Sequence, residues 1–92
     1  MPYIKEERRE ELYDMLDHSP GAIGYCCSTP GELNFALTET ILEYINNKDG
    51  EKISYSRINE VVGVLECCKL ELYRRLATPY EDKKIKENGD VY

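Results

Sequence analysis

The feature that most constrains this chain is the apolar pattern from Ser54 to Ala77, S-Y-S-R-I-N-E-V-V-G-V-L-E-C-C-K-L-E-L-Y-R-R-L-A. Ile58, Val61, Val62, Leu65, Cys68, Leu72 and Leu76 recur at steps of three and four. At roughly 100° per residue these steps gather the side chains on one broad face, which predicts a core helix. Gly63, Cys67, Leu70 and Ala77 form a second stripe on nearly the opposite side. A helix apolar on two sides requires cover on both, from its own chain or from a second copy. The expectation is a homo-oligomer that uses Gly63, Cys67 and Leu70.

The remaining elements follow from caps and breakers. Lys5 to Leu16 reads as a first helix with Leu12, Met15 and Leu16 on its apolar side. Asp17 to Ser28 contains Pro20, Gly21 and Gly24, breaks the periodicity and reads as a loop. Thr29-Pro30-Gly31-Glu32 then combines a capping hydroxyl, proline at the first helical position and a carboxylate three residues after the cap. The second helix starts there, keeps helical spacing through Leu33, Ala36, Leu37, Ile41, Tyr44 and Ile45, and stops at the run Asn46 to Gly50. Ser54 or Ser56 caps the core helix. Pro79 lacks an amide proton and disfavours helical angles at Thr78, so the core helix is expected to end or kink near Ala77. Thr78-Pro79-Tyr80-Glu81 repeats the cap-proline-carboxylate pattern and opens a short fourth helix from Pro79 to Glu87, ended by Asn88-Gly89. The expected fold is all-α, a small helical bundle of three main helices plus a short C-terminal helix, forming one domain over residues 1–92.

Charge and composition exclude several function classes. With 12 basic against 18 acidic residues the chain carries −6, and no basic face is evident for binding a nucleic-acid polymer. Its longest apolar run, Val61 to Leu65, is far short of the roughly 20 residues of a membrane span. The N-terminus alternates charge where a signal peptide would be apolar, so a cytoplasmic location is expected. The four cysteines stand as adjacent pairs, Cys26-Cys27 and Cys67-Cys68. Zinc ligands are usually two to four residues apart, because helical neighbours diverge by about 100°. The thiols are therefore expected to be buried or half-buried small apolar groups, with no bound metal.

No catalytic residue or cofactor is expected. The single histidine, His18, has no nucleophile at motif spacing. The glycines are isolated, and neither H-E-x-x-H nor C-x-x-C occurs. The candidate ligand-binding residues lie along the core helix. Asn59, Glu66 and Tyr73 are seven apart and nearly in line, and Lys69 falls within reach of Glu66 at three residues and of Tyr73 at four. Arg74 and Arg75 are adjacent and diverge by about 100°, which should prevent both from facing one side. One of them can hold an anion bidentately, and Tyr80 adds a ring for stacking. The same stripe can equally be an ion-pair network that fixes helix register.

The opening M-P-Y-I, the run Val62-Gly63-Val64-Leu65-Glu66 with Lys69-Leu70-Glu71 and Tyr73-Arg74-Arg75, the segment Pro79-Tyr80-Glu81-Asp82 and the ending Glu87-Asn88-Gly89-Asp90-Val91-Tyr92 resemble a family of small phage and prophage proteins. That family is a domain of unknown function. The resemblance covers the first five residues and everything from Tyr55 onward, while residues 17–32 are longer and richer in Cys and Gly than its pattern. It implies a phage or mobile-element origin. By analogy of class, the expected function is a non-enzymatic sponge that sequesters a small nucleotide immune signal. Lys69 with Arg74 or Arg75 would then meet phosphates, and Tyr73 or Tyr80 would stack on a base. The alternative is an acidic inhibitor or assembly factor that docks on a basic host or phage protein.

Overall fold

The computed structural model describes residues 4–46 and 53–92. The fold is all-α, with no strand among the described residues. In chain order the helices are α1 (Glu6–Met15), α2 (Ala22–Cys26), α3 (Pro30–Asn46), α4 (Tyr55–Leu72) and α5 (Thr78–Asn88), with a π-helical turn, Tyr73–Ala77, between the last two. The chain divides into two units, Met1–Tyr44 and Ile45–Tyr92. The expected stop at the run Asn46 to Gly50 lies, beyond Asn46, outside the described residues.

In the first unit, α1 ends through local backbone chemistry. Asp17 and His18 adopt left-handed angles, φ 52° and 62°, and the His18 amide turns back to the Tyr13 carbonyl across the last helical turn. This six-to-one bond is the Schellman arrangement, here with aspartate in the position glycine usually takes. The segment expected to be a loop is more ordered than that: Ala22–Cys26 is helical. Backbone bonds from the Ala22 amide to the Ser19 carbonyl at 3.0 Å and from the Cys27 amide to the Gly24 carbonyl at 3.2 Å close it at either end. The cap of α3 forms as its sequence implies. Thr29 Oγ1 accepts the Glu32 amide at 3.1 Å and donates to Glu32 Oε2 at 3.1 Å, while Glu32 Oε1 accepts the Ser28 amide at 3.3 Å. Donors that the helix cannot satisfy are thus closed by side chains.

The second unit is built on one long helical run. Ser54 Oγ accepts the Arg57 amide at 3.1 Å and caps α4. The core helix does not end near Ala77; its regular α form is interrupted there by the π turn, and the helical run continues. Leu72, Tyr73, Ala77 and Thr78 all keep right-handed helical angles, and the Thr78 amide bonds to the Tyr73 carbonyl, five residues back. Proline in a regular helix loses its own bond and drives its ring into the carbonyl four residues before it, here that of Arg75. A π turn is wider by one residue, so it relieves this conflict without ending the helix. Consequently Thr78 does not act as a cap: Ala77 precedes α5 in helical conformation with no side-chain capping bond. Gly89, at φ 85°, ends α5, and its amide bonds to the Ile85 carbonyl at 2.8 Å. From Tyr55 to Asn88 the run is about 50 Å long at the usual helical rise.

The expected core face is scarcely buried in a single copy. Val61 is the one buried apolar residue among those described, whereas Ile58, Val62, Leu65, Leu72 and Leu76 are exposed. Cys26, Cys67 and Cys68 are likewise exposed free thiols, against the expectation of burial. Cys27 is half-buried and its thiol donates to the Ile23 carbonyl at 3.2 Å. Helical periodicity aligns apolar groups; burial additionally requires something to lie against them.

Candidate functional site

All seven sequence-predicted binding residues lie on the long helix of the second unit, and all are exposed. Asn59, Glu66 and Lys69 belong to α4, Tyr73, Arg74 and Arg75 to the π turn, and Tyr80 to α5. They form a surface stripe and line no described cavity.

The charges of this stripe are answered from within the helix. Lys69 Nζ stands 3.1 Å from Glu66 Oε1. Arg74 donates to both oxygens of Glu71, at 3.1 and 3.0 Å, and Arg75 Nε donates to Glu71 Oε2 at 2.7 Å. The two arginines therefore converge on one carboxylate, contrary to the expectation that they must face apart. Positions three and four residues after Glu71 flank it on either side, and flexible guanidinium stems close the remaining angle. The hydrogen bonds from Arg75 and then Arg74 hold the Glu71 carboxyl below the usual carboxylate range.

Tyr73 meets neither Lys69 nor a pocket. Its hydroxyl donates to Glu81 Oε1 at 2.9 Å, eight residues on, and so bridges the π turn from α4 to α5. Because this bond needs the neutral phenol, and because a carboxylate opposes a nearby phenolate, the Tyr73 pKa lies above its ordinary value. The Tyr80 ring lies under Lys84 Nζ, 5.6 Å from the ring centroid, a cation–π contact one turn away on the same helix. Lys84 also reaches Glu87 at 3.2 Å. This surface is a register of within-helix pairs, with two aromatic rings available beside them.

A concavity lies in the first unit instead. Between α2 and α3 an open groove of about 710 Å³ is lined by Ile23, Cys27, Phe35, Ala36, Glu39 and Glu43, among others. Reasoning from the sequence missed it because Asp17 to Ser28 reads as a loop. The available signal was the apolar cluster Ala22, Ile23, Tyr25 and Cys26 immediately before a strong helix cap.

These features define a small acidic all-helical protein in which, among the described residues, no helix is long and apolar enough to cross a membrane. Within that class, the chain belongs to the family described as the domain of unknown function DUF6899, whose model matches residues 1–91. The match therefore also runs through residues 6–54, which the sequence resemblance did not cover, residues 17–32 included. No curated protein matches the chain, and no solved structure matches it.

Proposed function

We propose that this protein is a phage-type, non-enzymatic binding protein that works through protein contacts, as an acidic inhibitor or assembly factor built on a self-associating helix. The observation that carries this reading is the apolar surface left open on the long helix. Leu70, Leu72 and Leu76 are 57%, 61% and 64% exposed on it. Full burial of such a side chain contributes about 1.5–3 kcal/mol, so a second copy or another protein laid along the helix gains what one copy leaves unused. The charge of −6 steers encounter toward basic surfaces. The phage assignment rests on the resemblance carried by the M-P-Y-I opening and the residues from Tyr55 onward, and on that assignment the protein would act in the host cytoplasm.

A second reading is sequestration of a small nucleotide immune signal by the oligomer. It is favoured by three cations, Lys69, Arg74 and Arg75, and two exposed rings, Tyr73 and Tyr80, on the same helix. Exposed ion pairs are worth only about 0–1 kcal/mol, so the cations can be released. Against it, Glu66 and Glu71 would remain beside the phosphates and repel them. Native mass spectra of the purified protein, alone and with a panel of linear and cyclic nucleotides, separate the readings. A defined oligomer that ignores the panel is the expected result. An oligomer that gains intact nucleotides supports the sponge, a converted nucleotide overturns the non-enzymatic assignment, and a monomer at micromolar concentration removes self-association.

A further inference from the structure

The apolar face of α4 follows a stricter rule than helical periodicity. Ile58, Val61, Leu65, Cys68 and Leu72 are separated by three, four, three and four residues, the seven-residue repeat by which two helices wind about each other along one seam. Continuing that repeat would put Arg75 and Pro79 on the seam. Leu76 and Tyr80 carry it instead, each one position late. In a regular helix the lag would swing Tyr80 about 80° away from Leu72. The π turn Tyr73–Ala77 falls in this gap, and a π turn holds one residue more than an α turn. It absorbs the lag and returns Leu76 and Tyr80 to the line of the seam. Every one of these seven positions is uncharged, so two copies can meet along them with no like charges opposed. The seam also opens toward the π turn: Val61 is buried and Leu65 is 41% exposed, whereas Leu72, Leu76 and Tyr80 are 61%, 64% and 62% exposed. Two runs about 50 Å long, laid side by side over a width of about 10 Å, bury about 1,000 Å² in total, the lower bound for a specific interface.

We propose that two copies of this chain pair along the seam of residues 58–80, and that the π turn is the device that carries the seam past Pro79. The heptad spacing selects a helix as the occupant. The uncharged row selects a copy bearing the same row, a self-complementary contact of the kind that closed dimers use. This rests on the self-association in the protein-binding reading and names its surface. The seam lies on the side of α4 away from Gly63, Cys67 and Leu70, so it adds a second contact to the one expected there.

The test is sedimentation equilibrium of the full chain over a concentration series. Leu72→Glu, Leu76→Glu and Tyr80→Glu should each weaken association about 100-fold, because each places a charge in a desolvated contact. Arg75→Ala, at the position a regular helix would bring to the seam, should change it by less than about twofold, since a side chain outside the buried contact contributes little. Ile85→Glu, the same kind of change at an α5 residue off the seam that is 42% exposed, should do no more. Leu70→Glu combined with Leu76→Glu, which removes both contacts, should be monomeric. The seam substitutions at 72, 76 and 80 fall on exposed positions, and unchanged far-ultraviolet circular dichroism checks that they fold; Leu76→Ala, with an expected loss of about tenfold, is the milder replacement. Association indifferent to all three seam variants would overturn the proposal. So would weakening by Arg75→Ala equal to that by Leu76→Glu, which would put the seam in the regular helical phase, or by Ile85→Glu, which would reduce the effect to bulk charge. An oligomer dissociated by Leu70→Glu but indifferent to the seam variants overturns the seam alone and keeps self-association. A monomeric wild type overturns both and leaves binding to another protein standing.

Discussion

The two units of this chain are both helical and highly charged, yet they use charge in opposite ways. In the second unit the ionic groups close on one another along the helix: Lys69 with Glu66, Arg74 and Arg75 with Glu71, Lys84 with Glu87. In the first, acidic groups outnumber basic ones threefold, and the α2–α3 groove collects some of the excess. Within-helix pairs contribute little energy individually, about 0.2–0.5 kcal/mol, but they neutralise a surface and leave its apolar stripes to decide what it contacts. An unbalanced surface instead attracts a partner of opposite charge at a distance. On the proposed protein-binding reading, the second unit would associate by apolar contact and the first by electrostatic steering.

The largest expected effect is on self-association. Leu70→Glu should weaken the oligomer by roughly 100-fold or more, because it places a charge in a desolvated contact; mass by light scattering over a concentration series checks this. Gly63→Ala sharpens the same point. A Cβ at Gly63 meets nothing within one copy, so helix propensity alone predicts a gain of about 1 kcal/mol. Loss of the oligomer in that variant would show a neighbouring helix resting on the glycine.

The next effect concerns the π turn. Pro79→Ala restores an amide and removes the ring conflict, so the long helix should gain about 1–3 kcal/mol in urea unfolding. It should also restore α-helical register, turning α5 relative to α4 and breaking the Tyr73–Glu81 bond. A stability that is unchanged or lower would show that the π turn is held by something other than proline. In the first unit, Thr29→Ala should cost about 1 kcal/mol through loss of the cap, seen as faster amide exchange in the first turn of α3 with α4 unaffected.

The smallest effect is a pH dependence. The Tyr73 pKa is raised by its bond to Glu81, so the bond's contribution is complete below the ordinary tyrosine value of about 10 and is lost as pH rises through the raised value. Glu71 has the opposite sign. Its pKa is lowered by Arg75 and Arg74, so its contribution is present above the ordinary carboxylate value and is lost as pH falls through the depressed one. Helicity measured against pH should flatten above pH about 10 in Tyr73→Phe and leave the acid limb unchanged. A Tyr73→Phe profile identical to wild type at high pH would mean that the Glu81 contact contributes nothing in solution.

Features set by residues within one or two turns were legible before the structure. The Thr29 box, the Ser54 cap and the Gly89 stop each need only a side chain or a left-handed residue beside a helix end, and each forms where expected. The pairing of Lys69 with Glu66 was legible for the same reason. The outcome at Pro79 was not, because a proline in a helical pattern permits a stop, a kink or a π turn, and the choice depends on keeping α4 and α5 joined. Convergence of Arg74 and Arg75 on Glu71 was missed because idealised side-chain directions ignore the reach of long flexible stems.

The sequence by itself determined the helical class, the caps and the acidic bias, since each follows from local hydrogen bonding, residue propensity or simple count. Only the tertiary structure decided that the helix runs through Pro79, that Ala22–Cys26 is helical and lines an open groove with α3, and that the apolar stripe of α4 stays exposed in one copy. Those outcomes depend on which surfaces meet. Periodicity gives the direction in which an apolar face points, whereas its burial depends on groups distant in the chain or in another molecule.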